Sequence, residues 1–325
     1  MASTIMRLLA GLLLLGALFY FGLIDLAVLR TALHYPGTLA LATFVSLLAI
    51  PTAAFRWQLL LRSQDLHFRF TETARIAAIA TFFGTFLPGA VGGDIIRVVY
   101  IHRASFGRRS GAYMSILVDR LIGFAALMIY GIVVTLTRPF GSYHLLEYAL
   151  LLFASGFLVS IAIVLVFGDR VLGIVNSLFE GRWHKIAEVV EHSALALRQY
   201  RLAWPVLLYS LGGSILVTGM QIGAIVIIAV SMGFGGLSAG DYTIASAYGL
   251  MVNNVPLTPG GLGVGEGAFA SLCVALGGAT NKPYGTIFLI FRCVLMISVL
   301  PGLLVYLIYP DRAHLLDQVD TTGRD

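Results

Sequence analysis

Long apolar segments alternate with short polar ones along nearly the whole chain. Six of these segments can cross a membrane as helices, because about 20 residues rising about 1.5 Å each span the roughly 30 Å hydrocarbon core. The pattern predicts full spans at residues 5–24, 37–61, 111–136, 145–167, 203–232 and 284–309. No convincing cleavage site follows the first segment, so we interpret it as a retained span and not as a signal peptide.

Two further apolar segments, 76–101 and 242–279, are interrupted in the middle by proline and glycine. These residues end a helix and let the chain turn. The half on either side of each interruption is too short to cross a bilayer alone. We therefore expect two re-entrant hairpins, with the tip sequences Pro88-Gly89-Ala90-Val91-Gly92-Gly93-Asp94 and Pro259-Gly260-Gly261-Leu262-Gly263-Val264-Gly265-Glu266.

The two interrupted segments share a spacing as well as a motif. Each motif ends in an acid, Asp94 or Glu266, and an arginine follows each acid after 26 residues, at Arg120 and Arg292. Matched motifs of this kind in two halves of a membrane protein are typical of an internally duplicated transporter. The sequence thus predicts a first repeat over 1–136, a second repeat over 137–310 and a cytoplasmic tail over 311–325.

The basic residues predict how the chain is threaded. With both hairpins turning back, fourteen of the 21 Lys and Arg residues fall on the side that holds both termini, against three on the other side. The positive-inside rule makes the rich side cytoplasmic. The repeats are then inverted, and the hairpins enter from opposite sides. Their tips should meet near the midplane, where inverted-repeat transporters bind their substrates.

Composition agrees with a membrane protein and excludes a sizeable soluble domain. Hydrophobic residues make up 58% of the chain and charged residues 11%, and the mean hydropathy is +0.91. The longest polar stretch, 168–201, has apolar residues at spacings of three and four, which predicts an amphipathic helix at the cytoplasmic side. Its periodicity fits contact with lipid or packing against the protein equally well.

The hairpin tips and the buried arginines are the candidate chemistry. Backbone N–H groups at the start of a half-helix attract anions, above all phosphate. A lone arginine at mid-depth costs about 2.5–3.5 kcal/mol on insertion scales, so Arg120 and Arg292 each need an anionic partner. One interpretation is a structural ion pair that holds each hairpin to a span. The other is a phosphate site, with these candidate ligands: Pro88, Gly89, Gly92, Gly93, Asp94, Arg97, Arg120, Asn254, Pro259, Gly260, Gly261, Gly263, Glu266 and Arg292.

Three acids, Asp94, Asp119 and Glu266, are the candidates for balancing the arginine charge or taking up protons. For Arg120 the candidate partners are the hairpin acid Asp94 and the adjacent Asp119, and for Arg292 the candidate is Glu266. No metal site or cofactor is predicted. We interpret Cys273 and Cys293 as thiols within apolar segments.

The sequences Phe86-Leu87-Pro88-Gly89-Ala90-Val91-Gly92-Gly93-Asp94-Ile95-Ile96-Arg97 and Pro259 to Ala268, together with Asp119-Arg120, resemble the signature motifs of the lysylphosphatidylglycerol synthase transmembrane-region family. The resemblance covers nearly the whole chain. It implies a flippase-like protein that moves a lipid between leaflets of a bacterial-type inner membrane. The chain lacks the soluble aminoacyl-transferase domain of the synthases, so the resemblance does not imply a tRNA-dependent activity.

Together these patterns predict an all-α polytopic protein with six spans and two opposed re-entrant hairpins. We expect a transporter, not an enzyme, that carries an anionic lipid such as a phospholipid or a polyprenyl phosphate through a midplane cavity. One alternative is an integral membrane enzyme acting on a lipid phosphate. The other is a non-catalytic partner of a lipid-modifying or envelope-synthesis complex. The expected partners are the lipid substrate and either a second copy of the chain or a lipid-synthesis protein, and no nucleic acid.

Overall fold

The computed structural model describes residues 30, 32–86, 92–104, 109–137, 144–179, 195–233, 236–254, 258 and 261–309. Within these residues the protein is helical, and no strand is present. The helices, numbered here in chain order, are α1 Pro36–Arg62, α2 Phe70–Phe86, α3 Gly92–Ala104, α4 Arg109–Thr137, α5 His144–Phe179, α6 Trp204–Met232, α7 Ala239–Asn253, α8 Val264–Ala275, α9 Gly285–Ser298 and α10 Leu300–Ile308.

Four stretches of the described chain are long and apolar enough to cross a membrane. They are Pro36–Arg62, Ser110–Thr137, Trp204–Met232 and Gly285–Ile308, and they correspond to four of the six predicted spans. The predicted span 145–167 lies within the single helix α5. The predicted span 5–24 lies outside the described residues.

Three predicted boundaries differ from the structure. Helix α2 begins at Phe70 and not at 76, because the carboxylate of Glu72 accepts a hydrogen bond from the Arg69 N–H and starts the helix earlier. Helix α5 continues past 167 to Phe179, since residues 168–179 contain no proline to stop it. The last predicted span is two consecutive helices, because Pro301 lacks the N–H that would continue α9.

Helices α1 and α6 pack against each other along much of their length and run antiparallel. Near one end Thr38 of α1 donates a hydrogen bond to Ser231 of α6 (3.0 Å), and near the other Arg56 of α1 donates one to Ser214 of α6 (2.6 Å). The residue numbers rise along one helix as they fall along the other. Both helices are long and apolar enough to cross a membrane.

Both interrupted segments form a pair of packed helices, α2 with α3 and α7 with α8. Their helices approach closely at glycines. A Cβ atom on Gly93 of α3 would lie 2.7 Å from the Ala80 carbonyl oxygen of α2. A Cβ atom on Gly249 of α7 would lie 3.4 Å from the Phe269 Cβ of α8. The break that the Pro-Gly motifs predict is therefore present in both halves. Residues 88–91 of the first tip and 259–260 of the second lie outside the described residues.

Each pair of broken helices also packs against the last helix of the other half. Gly131 of α4 contacts Tyr248 and Met251 of α7, and the Tyr248 hydroxyl donates a hydrogen bond to the Gly131 carbonyl (3.1 Å). In the same way, Gly302 of α10 lies against Ala78 of α2. The two halves are interleaved and do not form separate units.

The segment 195–202 is helical and packs against the protein. Tyr200 is fully buried and donates a hydrogen bond to the Leu60 carbonyl (3.2 Å), while Gln64 donates one to the Ala196 carbonyl (3.2 Å). Leu197 joins them in a cluster with α1 and α4. For this part of the predicted amphipathic stretch the structure decides in favour of packing against protein. Residues 180–194 lie outside the described chain.

Candidate functional site

The second pair of broken helices is tied to α9 by an ion pair between Glu266 and Arg292. The Arg292 Nε lies 2.7 Å from Oε1 of Glu266, and the Arg292 Nη2 lies 3.3 Å from Oε2. Glu266 is fully buried and Arg292 nearly so, with 0% and 12% of their side chains exposed. The equal spacing of acid and arginine predicts this pair, and the structure confirms it.

Glycine geometry brings the tip backbone to the same arginine. Gly261 and Gly263 have φ angles of +70° and +79°, a region that glycine adopts readily and other residues do not. The turn presents the Gly261 carbonyl to Arg292 Nη2 (3.2 Å) and the Gly263 N–H to Glu266 Oε2 (2.8 Å). Asn253 Oδ1 accepts a further bond from Arg292 Nη2 (2.9 Å). This end of α8 is thus fixed by a closed set of hydrogen bonds.

The first pair of broken helices carries the matching ion pair, between Asp94 of α3 and Arg120 of α4. The structure confirms Asp94, and not the adjacent Asp119, as the partner of Arg120. This pair is more open than its counterpart, since 34% of the Arg120 side chain and 13% of the Asp94 side chain are exposed. A molecule in the surrounding space can therefore reach Arg120 more easily than Arg292.

Asp119 takes part in a second cluster beside that pair. Arg56 of α1 binds its carboxylate through two nitrogens, Nε to Oδ1 at 2.8 Å and Nη2 to Oδ2 at 2.9 Å. The third Arg56 nitrogen, Nη1, donates to Ser214 of α6. Gly213 of α6 leaves room for the Arg56 stem, because a Cβ there would lie 3.4 Å from the Arg56 Cβ. Asp119 thereby joins three long helices.

Arg97 of α3 completes this cluster. Its Nη1 lies 2.9 Å from Asp119 Oδ2, and its guanidinium carbon lies 4.8 Å from the ring centre of Trp57. Trp57 is itself held in place, since its indole N–H donates to Ser115 Oγ (3.2 Å). A cation over an aromatic face gains further electrostatic stabilisation. The Arg97 head group therefore points into the protein, where it binds Asp119 and lies over Trp57.

The sequence prediction missed Arg56 and Ser214. The signal was present, because Arg56 is a cation inside a predicted span and five residues from its end. An arginine so near a helix end is usually expected to extend its side chain to the membrane surface. Only the antiparallel packing of α1 on α6 shows that its head group points inward.

The other predicted residues divide into three groups. Gly92 and Gly93 are the first two residues of α3 and directly precede Asp94. The Asn254 side chain donates to the Leu250 carbonyl (2.8 Å), a local helix cap, and the adjacent Asn253 is the residue that reaches Arg292. Outside the described residues lie Pro88, Gly89, Pro259 and Gly260.

The two halves differ in charge. In the first half three guanidinium groups meet two carboxylates, which leaves one positive charge in excess among the described side chains. In the second half one guanidinium meets one carboxylate. The positions 172 residues after Arg97 and Asp119 are Phe269 and Phe291, both buried. The described residues contain no group of three acids, histidines or cysteines that could hold a metal.

Comparison with protein families places the chain. The family described as the lysylphosphatidylglycerol synthase TM region matches residues 5–302. The chain belongs to this family. The match confirms the resemblance that the two motifs indicate and fits a membrane protein concerned with lipids. Comparison with curated proteins gives no match, and comparison with solved structures gives none.

Proposed function

We propose that the protein moves a lipid with a phosphate headgroup between the leaflets of a membrane. The observation that carries the proposal is the excess positive charge beside the first pair of broken helices, where Arg120 lies well inside the mostly apolar helix α4. Charged side chains at such depth are costly and commonly mark a substrate pathway. Arginine is suited to phosphate because its planar fork donates to two oxygens at once.

The proposed architecture is an inverted repeat of α1–α4 and α6–α10, with α2–α3 and α7–α8 as opposed re-entrant hairpins. Three observations support it. The acid and arginine pairs recur with the same spacing of 26 residues. The equivalent helices α1 and α6 run antiparallel. Exchanging the two halves maps the α1–α2, α2–α3, α3–α4 and α4–α7 contacts onto α6–α7, α7–α8, α8–α9 and α10–α2 contacts.

Within this architecture the substrate headgroup passes between the hairpins. The glycine-rich tips supply backbone N–H groups, the arginines bind the phosphate, and Asp94, Asp119 and Glu266 balance charge or take up protons. An inverted repeat offers a route for alternating access, in which one half moves against the other around a fixed site. The proposal includes a cytoplasmic membrane with both termini in the cytoplasm, and the basic residues of the polar segments support it.

The test is a lipid movement assay in proteoliposomes. A fluorescent phosphatidylglycerol is incorporated in both leaflets, and a membrane-impermeant reductant quenches only the outer one. We expect the full chain to expose the inner pool to quenching. Arg120→Lys keeps the charge and loses the fork, so the rate should fall about tenfold, the effect of about 1.4 kcal/mol. The control Arg62→Lys makes the same exchange at an exposed position of α1 and should leave the rate unchanged.

Two outcomes would contradict the proposal. No acceleration of lipid movement by the full chain, with a chemically altered lipid detected by mass spectrometry, would make the protein an enzyme. Equal rates for a fluorescent phospholipid and a phosphate-free diacylglycerol would remove the phosphate from the proposal.

A further inference from the structure

The two halves each contain an ion pair, Asp94 with Arg120 and Glu266 with Arg292. We propose that phosphate binds in the first half alone, where it takes the place of the Asp94 carboxylate and is held by Arg97 and Arg120, while the pair of Glu266 and Arg292 is a permanent latch. The inference deepens the proposed function, since it rests on a phosphate-bearing substrate.

The two sites differ in net charge. The neutral pair of Asp94 and Arg120 lies beside the group of Arg56, Arg97 and Asp119, because Asp94 is one helical turn before Arg97 on α3. This group carries one excess positive charge among the described side chains. An anion that enters it neutralises this charge. The pair of Glu266 and Arg292 is already neutral and is buried, so an entering anion would leave a negative charge unbalanced inside the protein.

Arg56 and Arg97 differ in how many of their hydrogen-bond donors are already used. All three Arg56 nitrogens bind protein acceptors, two on Asp119 and one on Ser214, so Arg56 positions Asp119 and has little left to offer a ligand. Arg97 gives only Nη1 to Asp119. Among the described residues nothing accepts a hydrogen bond from its Nε or Nη2. These nitrogens are the donors that a phosphate oxygen would take.

The two acids also differ in how accessible they are. Asp94 meets Arg120 at a partly exposed position, whereas Glu266 is fully buried and also accepts the Gly263 N–H. Asp94 is the third residue of α3, where the helix dipole favours a negative group. A phosphate replacing its carboxylate would keep that interaction and add the donors of Arg97. Glu266 cannot leave without breaking the turn at Gly263.

Trp57 provides a direct readout. Its ring lies under the Arg97 guanidinium at 4.8 Å, so a ligand that moves Arg97 should change its fluorescence. The chain has three tryptophans, and replacing the other two by Trp183→Phe and Trp204→Phe leaves Trp57 as the single reporter. The full chain in detergent micelles is titrated with dihexanoyl phosphatidic acid, with dihexanoylglycerol and with inorganic phosphate.

The variants are chosen in matched pairs. Asp94→Asn removes the competing charge and should tighten binding of phosphatidic acid several-fold, a gain that misfolding cannot produce. Glu266→Gln makes the equivalent change in the second half and should give no such gain in affinity. Arg97→Gln should weaken binding about tenfold or more, the value of one charge-assisted hydrogen bond. Arg97→Lys, which keeps the ion pair with Asp119, repeats the test if the glutamine variant unfolds.

The outcomes separate the inference from the function on which it rests. Equal effects of Asp94→Asn and Glu266→Gln, or binding unchanged in both Arg97 variants, would overturn the inference even if lipid movement is observed. Binding with the expected pattern but without lipid movement would overturn the proposed function and keep the site. If inorganic phosphate binds as tightly as phosphatidic acid, the site is one for the free anion. If inorganic phosphate binds tenfold more weakly than phosphatidic acid, the site is one for a lipid headgroup. Equal binding of dihexanoylglycerol would exclude a phosphate site.

Discussion

The buried latch between Glu266 and Arg292 makes a sharp prediction about stability. Glu266→Gln keeps the size of the side chain and removes its charge. Arg292 then remains buried, and with the amide oxygen at the Oε2 position its Nη2 keeps a neutral acceptor while its Nε faces the amide NH2 group, which is another donor. Breaking a buried ion pair by removing one partner costs about 3–5 kcal/mol. Because glutamine retains one oxygen for the Gly263 N–H, we expect a loss near 3 kcal/mol.

The assay is reversible unfolding in mixed detergent micelles, followed by intrinsic fluorescence. A double-mutant cycle with Arg292→Gln isolates the pair, because removing both charges also removes the unbalanced one. We expect the double variant to be at least about 2 kcal/mol more stable than the sum of the single losses predicts. Glu72→Gln is the control, since Glu72 is also buried but accepts a backbone N–H from Arg69 and forms no ion pair with a described residue. It should lose about 1 kcal/mol.

Two results would refute this reasoning. The free energy of unfolding of Glu266→Gln could lie within about 1 kcal/mol of that of the unmodified chain, which would mean that the ion pair does not stabilise the protein. The double variant could lose as much as the two single variants together, which would mean that the two side chains act independently. Either result would also remove the latch from the inference on phosphate binding.

Two further predictions concern the backbone and the packing. Gly261→Ala should lower the free energy of unfolding by about 1–3 kcal/mol, because φ is +70° and the new Cβ would collide with Asn253. The control Gly37→Ala, whose new Cβ meets no atom within 4 Å, should leave it unchanged. Equal melting temperatures of the two variants would argue against the turn at Gly261. Thr38→Cys with Ser231→Cys should form a disulfide between α1 and α6, since the parent hydroxyls lie 3.0 Å apart. A band that migrates identically with and without reductant would contradict the antiparallel arrangement.

Spacing and chemistry along the chain predict the broken helices and the pair of Glu266 and Arg292, and they leave Asp94 and Asp119 as the two candidate partners of Arg120. A proline and glycine cluster inside an apolar run has few uses other than to break a helix. An arginine at mid-depth needs an acid, and in the second half Glu266 is the only acid near the tip. These predictions follow from local composition and from the cost of a buried charge, and both can be evaluated without knowing how the helices pack.

The rest of the site depends on which helices meet. Arg56 and Ser214 are 158 residues apart, and nothing in either segment indicates that they touch. Asp119 lies next to Arg120 in the chain and points to other partners, because neighbouring residues on a helix face different directions. The difference between the halves is equally hidden. Two phenylalanines in place of Arg97 and Asp119 look like ordinary apolar residues until the repeat is aligned.

The interleaving of the two halves has a consequence for synthesis of the chain. Arg75 at the start of α2 contacts Tyr309 just after α10, and the two residues are 234 positions apart. At a translation rate of about 5–20 residues per second, α2 is in place roughly 10–50 seconds before its partner leaves the ribosome. During that time the face of α2 that receives Gly302 has only lipid or a chaperone to cover it. The packing of α2 is therefore completed only when the last helix has been synthesised.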